Sequence, residues 1–232
     1  MHAEPALQQQ ALFRLLQLSS PMLPVGAYSY SQGLEWAVES GVVRDRDSSR
    51  EWIADVLHLG ISRFEAPLLC RLYRAWEVLD VAALEQANTL FLCSRESAEL
   101  RAETEQMGYS LRRLLLEMGQ FDAARLEVLQ RLEPVGFPAV FSCAAVAWNI
   151  PLAAVLSGYL WSWLENQVMA AMKTIPLGQV AGQQIMAALA DSLPALVEQA
   201  MNLPDEDMST FSPALAIASA RHETQYSRLF RS

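Results

Sequence analysis

Between Glu133 and Glu165 the chain carries no charged side chain, and this stretch constrains the fold more than any other. A membrane-spanning helix needs about 20 consecutive apolar residues. Here Gly136, Pro138, Asn149, Pro151 and Gly158 interrupt the run, and proline inside a helix costs about 3 kcal/mol or more. Two buried helices joined near Asn149-Ile150-Pro151 satisfy the pattern better than a span, so no membrane association is expected. Hydrophobic residues make up 52% of the 232 positions. That is too apolar for general disorder, which needs low hydrophobicity and high net charge. It is ample for a core without staples.

The periodicity elsewhere is helical. Apolar residues recur at i, i+3 and i+4, alternation is scarce, and good helix formers dominate. An apolar helix opens at Ala11 and runs to Leu18, leaving 1–10 as a loose N-terminus that includes His2. Pro21, Pro24 and Gly26 break it. A restart near Ser31 ends at Gly41, placed for a left-handed cap. Ser48 and Glu51 have capping-box spacing for a helix through Trp52, His58 and Leu59, kinked before Pro67. Asp80 caps a helix over 81–93. A long amphipathic helix over 95–118 carries Arg95, Glu96, Glu99, Arg101, Glu103 and Glu105 on its wet side, and a shorter helix fits 121–132. From 134 to 204 only Glu165, Lys173, Asp191 and Glu198 are charged, so this half reads as the hydrophobic centre that the first half wraps. No linker or repeat divides the chain. The expectation is one all-α domain over 1–232, a bundle of roughly 8–10 helices.

The end differs from the rest. Ser212-Pro213 reads as an N-cap with proline at the first helical position. Beyond it, 221–232 is locally basic in a chain of net charge −9. Tyr226, Leu229 and Phe230 fall on one face if this segment is helical. Flanked by Arg221, Arg228 and Arg231, they predict a partner-docking tail over 205–232, because helix-in-groove recognition uses such anchors.

Catalytic chemistry is hard to assemble. The three histidines are His2, His58 and His222. His58 sits in an apolar helix. His222 has Glu223 beside it, on a different helix face. There is no GxSxG elbow, no phosphate-binding loop and no metal-ligand spacing. Cys70, Cys93 and Cys143 are far apart and read as free thiols, which suits the cytosol. The N-terminus lacks a basic region before an apolar core and reads as having no signal peptide. The acidic balance argues against nucleic acid. The expectation is a protein that is not an enzyme, with no catalytic residue, no metal and no cofactor of its own.

Two further segments are denser in turn and polar residues than packing alone needs. One is 20–35, with Tyr30 and Glu35. The other is 173–179, where Lys173 is the only positive charge between Arg131 and Arg221. A lone cation there faces a helix dipole or an acidic partner group.

These segments carry a resemblance. LLQLSSPMLPVGAYSYSQGLEWAVESG at 15–41, KTIPLGQVAGQ at 173–183 and RHETQYSRLFRS at 221–232 closely resemble the UreF family of urease accessory proteins. The resemblance implies an all-helical, generally dimeric, cytoplasmic protein. It implies a scaffold bridging the accessory protein UreD (also called UreH) and the GTPase UreG, so that nickel reaches the urease apoprotein. GTP and nickel would then belong to UreG. It also gives the tail residues Arg221, His222, Tyr226, Arg228, Leu229, Phe230 and Arg231 to the UreD side. Glu35, Lys173, Tyr30 and Gln179 go to the UreG side. The alternative is a GTPase-activating protein for UreG. There a tail arginine, or Arg44 or Arg46, would sit beside the γ-phosphate, a placement worth about 10³–10⁵-fold.

Overall fold

The computed structural model describes residues 3–232, with side chains from Gln8 onward; His2 lies outside the described residues. Among these residues there is no strand. The helices are α1 (Ala3–Leu18), α2 (Leu34–Glu39), α3 (Arg46–Val56), α4 (Ala66–Val78), α5 (Val81–Cys93), α6 (Ala98–Met118), α7 (Ala123–Arg131), α8 (Phe137–Ala147), α9 (Leu152–Thr174), α10 (Gln179–Ala190), α11 (Leu193–Asn202) and α12 (Pro213–His222). The fold is all-α, as expected. The helices outnumber the expected 8–10 because the chain after α9 is cut into three short ones. The first helix begins at Ala3 and not at Ala11.

α3 and α4 form one rod, joined by a π-helical segment (Leu57–Glu65). Pro67, in the first turn of α4, explains the widening. It has no N–H for the carbonyl four residues back, and its ring crowds that carbonyl. That carbonyl belongs to Arg63, and it accepts the N–H of Ser209 (3.1 Å) instead. His58 therefore lies on an exposed turn of the wide segment and not in an apolar interior. The capping box also shifts. Asp45 is the N-cap of α3, with Ser48 as its reciprocal partner, because a carboxylate takes the free N–H more strongly than a hydroxyl. Asp80 caps α5 through the N–H of Ala83, and Gly41 closes the turn after α2 at φ 75°.

α9 is the axis. It packs on α1, α2, α3, α4, α10 and α11. α8 lies between α4 and α6. The uncharged stretch is thus two buried helices, α8 and α9, with the break where Asn149 and Pro151 predict it. Among the described residues no single helix is long and apolar enough to cross a membrane. The core is not the C-terminal half alone. α4 contributes Leu68, Leu69, Leu72 and Trp76, all at most 2% exposed, while α10 and α11 each leave one face in solvent. Trp76 donates its indole N–H to the carbonyl of Ala139 (2.9 Å), so α4 is keyed to α8. Phe137, Phe141 and Tyr159 form an aromatic cluster between α8 and α9, with centroids 5.3 to 6.1 Å apart. Cys70 and Cys143 are buried free thiols, pushed up to about 11 and about 12 by burial; Cys93 is exposed.

The wet side expected for α6 is only partly wet. Arg95, just before the helix, pairs with Glu65 at 2.6 Å with both side chains about nine-tenths buried. Glu99 is largely covered and Glu103 is buried. These charges are inside because each has a partner there.

Candidate functional site

The sequence places two docking faces apart: the tail, and a pair of blocks around Glu35 and Lys173. The fold brings them together. α12 packs on α2 and α6, and the tail after it, which is not helical, folds back over both. The closeness has a local cause at Gly33. Its φ is +78°, and a Cβ there would lie 2.9 Å from the Ser219 nitrogen and 3.0 Å from the Ala218 Cβ. Only glycine satisfies both the backbone angle and the contact.

Glu35 is the centre of this locus. It is 7% exposed. Its carboxylate accepts the N–H of Leu229 (2.6 Å) and of Phe230 (3.0 Å). Its second oxygen also lies 3.2 Å from Nε2 of His222, and Nδ1 of that ring lies 2.6 Å from Glu99. Arg228 donates to the other oxygen of Glu99. Glu223 accepts the N–H of Ala98 (2.7 Å), so the tail adds a carboxylate to the positive end of α6.

The last residues run beside 29–31. Arg231 donates its N–H to Ser29 (2.8 Å), and the Ser232 carbonyl accepts the N–H of Ser31 (2.7 Å). The Ser232 hydroxyl donates to Glu103 (2.7 Å), which also accepts from Gln32 (2.7 Å). Burial pushes the Glu103 carboxyl up to about 7, against these two donors, which favour its ionised form. Lys173 places its ammonium 5.5 Å above the Phe230 ring, a cation–π contact. Tyr30 is buried, and that burial raises its hydroxyl. Tyr28 is pushed up to about 12 by burial and by Glu165, which accepts its hydroxyl at 3.4 Å.

Several expectations change. Tyr226, Leu229 and Phe230 do not share a helical face. Phe230 is 5% exposed, whereas Tyr226 is fully exposed and Leu229 is 73% exposed. His222 is wholly buried. Glu35 and Tyr30 lie in the interior and not on an outer surface, and Glu35 holds the tail. Arg221, Arg228, Arg231 and Lys173 are exposed at least in part. Gln179 is exposed at the start of α10, outside this hydrogen-bonded set. The residues missed are Ser31, Gln32, Glu99, Glu103 and Ser232. The four-residue spacing of Glu99 and Glu103 puts both on one face, but nothing local says that a segment over a hundred residues later covers it.

A second polar cluster lies beneath. Tyr159 donates to Glu65 (2.9 Å), which also accepts from Arg95. With Glu103 these residues line a cavity of about 100 Å³, room for roughly three waters. Among the described residues no group of three His, Cys, Asp or Glu side chains is arranged to hold a metal ion. The locus can hold, orient and present a segment of chain.

The UreF family model matches residues 43–190. A urease accessory protein UreF of Azoarcus sp. is 56% identical across all of both chains. One of Methylobacillus flagellatus is 54% identical, over 97% of this chain and 99% of its own. One of Dechloromonas aromatica is 56% identical, over 95% of this chain and 97% of its own. The full-length similarity also takes in 15–41 and 221–232, which the family model's match leaves outside, and the chain belongs to the UreF family of urease accessory proteins.

Proposed function

We propose that this chain is a non-catalytic scaffold that joins UreD (UreH) to the GTPase UreG during GTP-dependent nickel insertion into urease. The observation that carries this reading is the division of labour in the tail. His222 and Phe230 are buried anchors, while Tyr226, Arg228 and Leu229 between them are exposed on a segment held at both ends. A pre-ordered segment avoids part of the ordering cost of binding. Exposed aromatic and arginine side chains are the types that dominate interface energetics. Because the exposed Lys173 stands over Phe230 of the tail, UreD and UreG would meet this protein on adjoining surfaces around the tail, not at opposite ends. The protein works in the cytoplasm and as a homodimer. The apolar stripe Leu12, Phe13 and Leu16 on α1, each more than half exposed, is the surface a second copy would cover.

The test is size exclusion with light scattering, using UreD and then UreG with a GTP analogue. Y226A/L229A replaces only exposed side chains, so it separates docking from folding. It should lose the UreD complex while the isolated chain stays folded. If the doubly substituted chain still forms the full ternary complex, the tail is not the docking element. If acceleration of GTP hydrolysis vanishes in R44A or R46A with binding intact, the GTPase-activating reading replaces the scaffold reading.

A further inference from the structure

Four ionisable groups meet where the tail closes, and their hydrogen bonds need one proton more than two carboxylates, a neutral imidazole and a guanidinium hold. Glu35 accepts two backbone N–H groups, and Glu99 accepts from Arg228. Ionised carboxylates are acceptors only. His222 lies between them with no exposed surface, one ring nitrogen 3.2 Å from Glu35 and the other 2.6 Å from Glu99. A neutral imidazole carries one N–H. One of the two contacts would then set a ring lone pair against a carboxylate oxygen, and the ring has no exposed surface through which solvent could relieve it.

Both contacts become hydrogen bonds when the trio holds one more proton, on the ring or on a carboxylate. Glu35, Glu99, His222 and Arg228 then sum to zero charge; without that proton a net negative charge is buried, which is costly. The other groups near the ring do not substitute for it. The Glu223 carboxylate is turned onto the N–H groups of Ala98 and Glu99. Arg221 is exposed. Lys173 stands over Phe230. Glu103, one turn along α6, is satisfied by Ser232 and Gln32; its burial also favours the protonated form, so it acts in the same direction.

We propose that residues 222–232 form a proton-linked strap: closing it over α2 and α6 takes up one proton, so acid tightens it and alkali loosens it. Opening would bare Glu35 and Phe230 and change the surface offered to any partner. The inference concerns this chain alone and does not depend on who the partner is.

Hydrogen exchange of the Leu229 and Phe230 amides in the full-length chain tests it, between about pH 6 and about pH 9, the range that brackets an imidazole. Each rate is divided by that of the same amide in a synthetic 221–232 peptide at the same pH, which removes intrinsic exchange. The background is E103Q, to silence that carboxyl. Protection should fall with pH, approaching about tenfold per unit, the slope of one proton. E99Q in the same background is the decisive variant. Its amide oxygen can accept from Arg228 and its amide N–H can donate to a neutral ring, so protection should persist and the slope should vanish. Protection of the Trp76 and Phe141 amides confirms that each chain is folded. A flat profile before E99Q is introduced, a slope that E99Q leaves intact, or tail amides unprotected at every pH in E99Q would each overturn the proposal.

Discussion

The contact of α4 with α8 and α9 and the contact of the tail with α2 and α6 are both buried, but they are held by opposite means. The first is apolar, with Trp76 and Phe141 at most 1% exposed and one indole hydrogen bond fixing their register. The second has a carboxylate at its centre, a buried imidazole, and only Phe230 as a large apolar anchor. Apolar burial is non-directional and changes little with pH. Charged hydrogen bonds are directional, and they are costly when one partner is missing. The core therefore specifies that the chain folds. The tail contact specifies one arrangement of a short segment, and the strap proposed above would open without the core.

Five changes would sharpen or break this contrast. The largest effect is expected from W76A. Loss of a fully buried aromatic costs about 3–5 kcal/mol, read in denaturant unfolding, and every amide should lose protection together. Next is pH. Burial raises Glu103 from the ordinary carboxylate range to about 7. The folded state thus holds a proton that the unfolded chain releases. The stability this group provides is full below its unfolded value and is lost as pH rises toward 7, on the order of 3 kcal/mol in all. E103Q should flatten that part of the stability profile, and an unchanged profile would sink the assignment. Third, E35A strands the N–H groups of Leu229 and Phe230 and one face of His222, at about 2–3 kcal/mol. The contrast requires that exchange at the tail rises far more than exchange in α8. Fourth, G33A meets both a positive φ and a near contact with α12, at about 1–3 kcal/mol; equal loss of tail and core protection would contradict a local role. Smallest for stability is Y226A/L229A, within about 0.5 kcal/mol. By calorimetry with UreD it should instead show the greatest loss of binding.

Much of the architecture was legible from residue order. The charge-free run with Pro151 in it became α8 and α9. Asp80 and Gly41 marked ends that hold, and the three blocks of the resemblance pointed to the family. The misread charges share one reason. Arg95, Glu99 and Glu103 have helical spacing and polar chemistry, and local pattern assigns such residues to water. Each is instead covered by a segment remote in sequence: Arg95 by the π-helical rod, Glu99 and Glu103 by the tail. The tail itself looked like a helix with three anchors on one face. Backbone hydrogen bonds to Glu35, Ser29 and Ser31 compete with helix formation there, and no local feature of 223–232 announces them.

The sequence by itself determined the helical class, the position of the buried apolar helices and membership of the UreF family, because periodicity, helix breakers and block identity act over short distances along the chain. Only the tertiary structure decided that Glu35 grips the tail, that His222 lies between two carboxylates, and that Lys173 stands over the tail while Gln179 lies outside the locus. Those outcomes depend on which charges find partners once water is excluded, and the partners come from residues more than a hundred positions apart.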